Sequence, residues 1–448
     1  MRRWLWVLML VLALPLFAAA PHVDRWANGF RVIVLPTTSS QVVSVELLID
    51  YSAFDEPEKY QGIRQVLLTS MLQGSRSVDG TTIRRRLTAI GGNLEGRVHQ
   101  DMLEFTVSVP SSKLGVALSA LAEIVCHPLL SDEYIQAAIA QSQRKVNIPP
   151  VGALDTAAYL SYQLLYEGHP FASRGFGTPE SLANITPEVV RDAYHAYILP
   201  NIAVMSIVGR CTQDDAGAQA QAAFGLWADH PRAKRQVAVN PTLAHSTLDL
   251  REENVKSTCV MLTFPVCGVT HKDYLAVRLV DILLGGGTGS RLFRSVREDL
   301  HLAYETATDF PSQTTCSHFS LFALTDSGYM DDTKSALTSA LAQLQVTPVT
   351  EQELQRAKAY LKGRYLLSHQ YSAQYAFDLA WYELIGLGAG YETSLPANID
   401  AVTAKDIQRV ARTYFTHYYL VVIIPQTTGS VESSTSSLGR LTARVQAE

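Results

Sequence analysis

Two segments of this 448-residue chain are written twice in the same order, and that repetition calls for a fold with two like halves. Thr186-Pro-Glu-Val-Val-Arg-Asp-Ala-Tyr, leading into the apolar run Ile202–Val208, parallels Thr403-Ala-Lys-Asp-Ile-Gln-Arg-Val-Ala, leading into Tyr419–Ile424, at a spacing of 217 residues. Both open on a threonine suited to cap a helix, and Pro187 stands at the first helical position, where its missing N–H costs nothing. Pro128–Tyr134 (PLLSDEY) likewise parallels Pro348–Leu354 (PVTEQEL), with Thr350 and Glu353 spaced as a capping box. One match alone is weak; two in order argue for an ancient duplication.

The pattern of each half is strands interrupted by paired helices. Strands are predicted at Phe30–Leu35, Val42–Ile49 and Leu103–Val109, with helices around Gly62–Gln73, Thr81–Ile90, Ser112–Cys126 and Ser131–Gln143. The second half repeats the order: strand Cys259–Phe264, helices Lys272–Leu284 and Ser290–Leu300, strand His318–Ala323, then helices Asp332–Leu344 and Thr350 onward. The fold class is therefore α+β, with two homologous lobes, residues 21–227 and 247–426, each a mixed or antiparallel sheet packed with helices. The polar stretch 228–246 links them into a clamp, and the Ser/Thr/Gly-rich residues 427–448 read as a disordered tail.

Arg2 and Arg3, followed by the charge-free stretch Trp4–Ala20, have the form of a secretory signal over residues 1–20. Export to the periplasm or the medium is expected, although Pro21 disfavours cleavage after Ala20. No later apolar run has transmembrane length. A formal charge of −5 without a Lys/Arg block argues against nucleic acid as a partner. Five scattered cysteines make neither a disulfide framework nor a Cys-x-x-Cys metal site, and they read as small buried thiols.

Residues Gly285–Glu305 (GGGTGSRLFRSVREDLHLAYE) set a Gly-rich turn before an amphipathic helix and an Arg-x6-Tyr pair, Arg297 and Tyr304. This segment resembles the C-terminal half of the pitrilysin/insulinase-type zinc metallopeptidases, and the resemblance extends over roughly residues 23–425. The turn lacks the Gly-Lys-Ser/Thr of a nucleotide loop and follows a helix, so phosphate binding is rejected. Gly91-Gly92-Asn93 and Gly168-His169-Pro170-Phe171 also resemble this family, whereas Glu95 and Gly96 replace the Asn-Ala usual beside its substrate strand.

The family binds zinc through a His-x-x-Glu-His helix, because two imidazoles one turn apart hold the metal while the carboxylate takes a proton from its water. None of the twelve histidines here has another four residues away. Aligned with that helix, Tyr60–Ser75 places Gln65 and Thr69 at the histidine positions and Leu68 at the glutamate. The window Tyr134–Tyr166, where the family carries its third ligand, has no glutamate. Neutral oxygens at Gln65 and Thr69 are poor zinc ligands, and Leu68 cannot act as a base. This chain is expected to hold no metal and to be inactive in zinc hydrolysis alone.

What the resemblance implies is an accessory role. In the family an arginine and a tyrosine of the C-terminal half bind the carbonyl under attack, a role guanidinium and phenol donors suit; Arg297 and Tyr304 match them as substrate-binding residues. The plainer reading, an exposed helical arginine near Glu298 and a half-buried tyrosine entering a strand, stays open. His301 stands where the family usually has glycine. The tyrosines at 360, 365, 371, 375 and 382, with Trp381, are expected to pack in the core, with a peptide-facing wall as a distant second reading. The resulting expectation is a non-catalytic, substrate-binding subunit of an exported heteromeric zinc peptidase acting on unfolded peptides, with zinc in a homologous partner. The alternative is an inactive binding or scaffold protein that retains the fold. An independent enzyme ranks last, because no nucleophile, base and orienter are grouped in the sequence.

Overall fold

Strands buried on both faces need cover on both sides, and this chain supplies it in an unexpected way. The structure, a computed structural model, describes residues 21–38, 40–172, 175–232, 235, 240–426 and 441–444. The proposed signal at 1–20 lies outside the described residues. Its strands are β1 His22–Arg25, β2 Arg31–Pro36, β3 Val42–Ile49, β4 Asn93–Val98, β5 Leu103–Pro110 and β6 Ala203–Gly209, then β7 Thr247–Glu253, β8 Thr258–Cys267, β9 Glu305–Asp309, β10 Cys316–Thr325, β11 Tyr419–Pro425 and β12 Leu441–Arg444. They form two six-stranded sheets, ordered β1-β2-β6-β3-β5-β4 and β12-β7-β11-β8-β10-β9. In both, the second and third strands (β2 and β6; β7 and β11) are parallel and every other pair is antiparallel. The duplication seen in the sequence is thus a duplication of sheet topology. Leu441–Arg444, within the expected disordered tail, is a strand paired with β7, because the outer side of β7 offers an unpaired edge.

In the first half the helices are α1 Ile63–Met71, α2 Gly80–Ala89, α3 Leu114–Cys126, α4 Asp132–Val146, α5 Gly152–Leu165, the short α6 Pro179–Ala183, α7 Pro187–Tyr197 and α8 Gln213–Phe224. The second half has α9 Tyr274–Gly285, α10 Met330–Val346, α11 Glu351–Ser368, α12 Ser372–Leu384, α13 Tyr391–Ala401 and α14 Ala404–Tyr414. The caps expected at the repeated positions are formed. Thr186 Oγ1 accepts from the Val189 amide, and Thr350 with Glu353 makes a reciprocal capping box, as does Thr403 with Asp406.

Each sheet packs one face on helices of its own half. In the first, Val43, Val45 and Leu47 of β3 meet Val66 and Leu67 of α1 and Leu118 and Leu121 of α3. The opposite face is covered by a helix from the other half. Ala376, Leu379 and Ala380 of α12 pack on Ile33, Leu48, Val204 and Val208 of the first sheet. Reciprocally, Ala153, Ala157 and Leu160 of α5 pack on Cys259, Met261, Val421 and Ile423 of the second. The lobes therefore exchange helices, and residues 228–246 are not their only connection.

Polar contacts reinforce the exchange. Glu383 on α12, almost fully buried, accepts from Arg25 Nη2 at 2.7 Å, and its carbonyl accepts from Arg31 Nη1 at 3.0 Å. Tyr166 donates to Gln313 at 3.0 Å, and Asp101 accepts the Thr314 amide at 3.0 Å. Arg232 and Arg235 of the linking segment pair with Asp50 and Asp55 of the first lobe. Tyr375 and Trp381, on α12 itself, pack partly buried against the cluster it forms with the first sheet, as expected, but Tyr360 and Tyr371 are exposed. All five cysteines are free thiols; Cys259, Cys267 and Cys316 are buried, and Cys126 and Cys211 partly so.

Leu379 is fully enclosed between lobes. Leu379→Ala is expected to cost about 2–5 kcal/mol, and calorimetry should show both lobes melting in one lowered transition. Two separate transitions, with only the first lobe displaced, would contradict the exchange as a coupling device.

Candidate functional site

The helix aligned with the zinc motif is present, but its interior is repacked. Gln65 and Thr69 lie one turn apart on one side of α1, where Gln65 Nε2 donates to Thr69 Oγ1 at 3.0 Å. Leu68 is buried between them and presses on edge strand β4. A Cβ built on Gly96 would stand 3.0 Å from Leu68 Cδ1 and 3.1 Å from Leu72 Cδ1. The glutamate position is thus filled by hydrocarbon against a glycine that leaves room for it, and the two neutral polar groups partner each other. These residues do not fit a zinc ion, which wants imidazole, thiolate or carboxylate donors.

In the second half β9 is the edge strand equivalent to β4. Helix α9 approaches it closely enough that a Cβ on Gly285 would lie 2.6 Å from the Thr308 amide nitrogen, which explains the glycine at the start of the loop. After that loop the expected helix Ser290–Leu300 is realised as a π-helical turn over Phe293–Asp299, with the Leu300 amide bonding the Ser295 carbonyl five residues back at 3.2 Å. Widened turns of this kind occur frequently at functional sites.

Arg297 lies on this turn, exposed, its guanidinium over the Phe293 ring at 5.1 Å. Tyr304, 49% exposed, is held by its own amide, which bonds the Leu324 carbonyl at 3.1 Å as the chain enters β9. Among the described residues neither side chain makes a hydrogen bond or ion pair, so both donor groups are available. Between them His301 takes the left-handed conformation, φ 53°, with Nδ1 3.3 Å from the Arg297 carbonyl oxygen. That conformation is the reason a glycine suits this position.

A second feature went unnoticed in the sequence. On the face of the first sheet away from its own helices, Glu46, Glu95, Arg97, His99, Glu104, Thr106 and Ser108 line a cleft of about 540 Å³ closed on one side by Gln374 and Phe377 of α12. The available signal was the pair Ser44 and Glu46 alternating with valines in an otherwise apolar strand.

The architecture described so far is a two-lobed, peptidase-like one in which the helix aligned with the zinc motif carries no metal ligands. Residues 31–159 match the model of the insulinase family, peptidase family M16, and residues 184–361 match that of the peptidase M16 inactive domain. The chain belongs to this family, as a member without the zinc motif. It is 22% identical over 400 residues to the uncharacterized zinc protease YmxG of Bacillus subtilis, covering 89% of this chain and 96% of that one. It is 21% identical over 415 residues to a probable mitochondrial-processing peptidase subunit beta of Arabidopsis thaliana, covering 89% and 77% respectively. Among solved structures, a protease from Helicobacter pylori superposes with a TM-score of 0.82 at 18% identity, covering 90% of this chain and 99% of that one. The peptidase M16 inactive domain from Pseudomonas fluorescens does so with a TM-score of 0.82 at 20% identity, covering 91% and 98%.

Two outcomes test this local account. Leu68→Glu buries an unpaired carboxylate and is expected to cost roughly 3–5 kcal/mol at neutral pH. The buried acid's raised pKa makes that loss smaller below the ordinary carboxylate range and larger above it; a pH-independent loss in thermal melts would refute the apolar setting. His301→Val should be less stable than His301→Gly by about 1–2 kcal/mol, because a β-branched residue is strained at positive φ. Equal midpoints in denaturant titrations would show that this turn carries no such constraint.

Proposed function

We propose that this chain is the metal-free half of an exported two-chain zinc peptidase acting on unfolded peptides. The observation that carries the reading is an asymmetry between halves. The zinc helix has been filled by Leu68, while Arg297 on the widened turn and Tyr304 at the entry to the edge strand remain exposed and, among the described residues, unpaired. A guanidinium and a phenol there serve to bind a carbonyl as it gains negative charge, and they need no metal of their own. A homologous partner bearing zinc supplies the metal and the general base; this chain supplies the two donors and part of the wall. Extended peptides suit such a wall because an open sheet edge offers backbone hydrogen bonds to any sequence. The basic and apolar residues 2–20 support export.

Co-purification of the tagged full-length chain from its native host, with zinc counted in the same sample, tests the assembly. The expected result is a stoichiometric partner carrying His-x-x-Glu-His, with zinc present only when it is. In that complex Arg297→Ala or Tyr304→Phe should leave assembly intact and lower turnover by about 10²–10³-fold, the usual loss for one oxyanion donor. Unchanged turnover in both variants would remove the assigned role, and a metal-free chain recovered without such a partner would favour a scaffold.

A further inference from the structure

The geometry points to a binding subsite for a positively charged peptide side chain in the cleft on the first sheet, with Glu46 as its counter-ion. The inference shares with the preceding section only the expectation that the chain binds extended peptide; it needs no partner, no zinc and neither Arg297 nor Tyr304.

The hydrogen-bond inventory of the cleft is incomplete at one atom. Glu95 accepts from Asn93 Nδ2 at 2.8 Å through one oxygen and from Arg97 Nη2 at 2.9 Å through the other. Glu104 is used twice as well, by Arg97 Nη1 at 3.4 Å and by His99 Nε2. Glu46 Oε1 accepts from Thr106 Oγ1, but Glu46 Oε2 has no partner, although the residue is only 2% exposed and lines the cleft. A buried carboxyl oxygen left without a partner is costly in either protonation state, and in the ionised state it calls for a donor. The charges agree, because three carboxylates face a single arginine, leaving room for a further cation when Glu46 is ionised. Helix α12 adds no charge to the lining, contributing Ala373, Gln374 and Phe377.

Register places the row that a cation would meet. Asn93 and Glu95 of β4 pair with Ser108 and Thr106 of β5, and Thr106 pairs with Glu46 of β3. Side chains alternate across a sheet, so Glu95, Thr106 and Glu46 stand on the same face. The cleft lies over this row, and an extended peptide laid across the face, rather than along the outer edge of β4, lowers a lysine or arginine into it beside Glu46.

Burial, opposed by the Thr106 hydrogen bond and aided by the charge of Glu104, pushes the Glu46 carboxyl up to about 9. Arg97 lowers it and Glu95 raises it further, both as smaller contributions. The empty cleft thus holds a neutral acid at pH 7. Entry of a cation drives ionisation: the Glu46 O–H bond breaks, its electron pair stays on the carboxylate, and the proton leaves to solvent.

The test uses the purified full chain and two ten-residue peptides of alternating Thr and Val, one with a central Arg and the other with Gln at that place. Calorimetry at pH 7 in two buffers of different ionisation enthalpy reads affinity and proton release together. The Arg peptide should bind at least about tenfold more tightly and release close to one proton. Glu46→Gln, which has the shape of the neutral acid and should fold normally, should abolish both the preference and the release while retaining Gln-peptide binding. Equal affinities, no binding of either peptide, or a preference or proton release that persists in Glu46→Gln would overturn the inference.

Discussion

The exchange of α5 and α12 is the constraint on which the other features depend. Seven of the eight residues of β3 are buried, a burden no single layer of helices can meet for a sheet with two faces. The helices of the first half cover one side, and α12 covers part of the other with small residues, Ala376 and Ala380, that allow close approach. Because α12 covers β3 and β6, while Gln374 and Phe377 only border the rim toward β5 and β4, that rim stays open as a polar cleft. The same arrangement leaves β4 and β9 as free edges in the two lobes.

The fold does without a metal site here because the helix aligned with the zinc motif has a structural task of its own. Seven of the nine residues of α1 are buried, and Arg64 within it is enclosed, paired with Glu56 and donating to the carbonyls of Tyr51 and His99. Three of the four departures from the zinc motif, Gln65, Leu68 and Thr69, lie on this helix. Hydrocarbon at Leu68 against Gly96 converts an open coordination position into ordinary packing.

Much of the architecture was legible locally. Val42–Ile49 is a strand with the bounds its pattern suggests, and Thr186, Thr350 and Thr403 cap the helices expected of them. The exchange was not legible, because the apolar faces of α5 and α12 read the same whichever sheet they meet. The π-helical turn was missed since periodicity over seven residues cannot separate one extra residue per turn from an ordinary helix. Glu46 was passed over inside an apolar strand. Its role is defined by cross-strand neighbours in β4 and β5, which a pattern along one strand does not contain.

The helix exchange also sets a schedule for synthesis. The first sheet is complete in sequence at Gly209, but Ile33, Leu48, Val204 and Val208 stay uncovered until α12, ending at Leu384, has emerged. At about 5–20 residues per second that interval is on the order of ten to thirty seconds. During it the nascent chain carries a finished sheet with one oily face bare, the kind of surface that chaperones hold. For this chain the first half cannot mature ahead of the second, and the two like halves must be born as one.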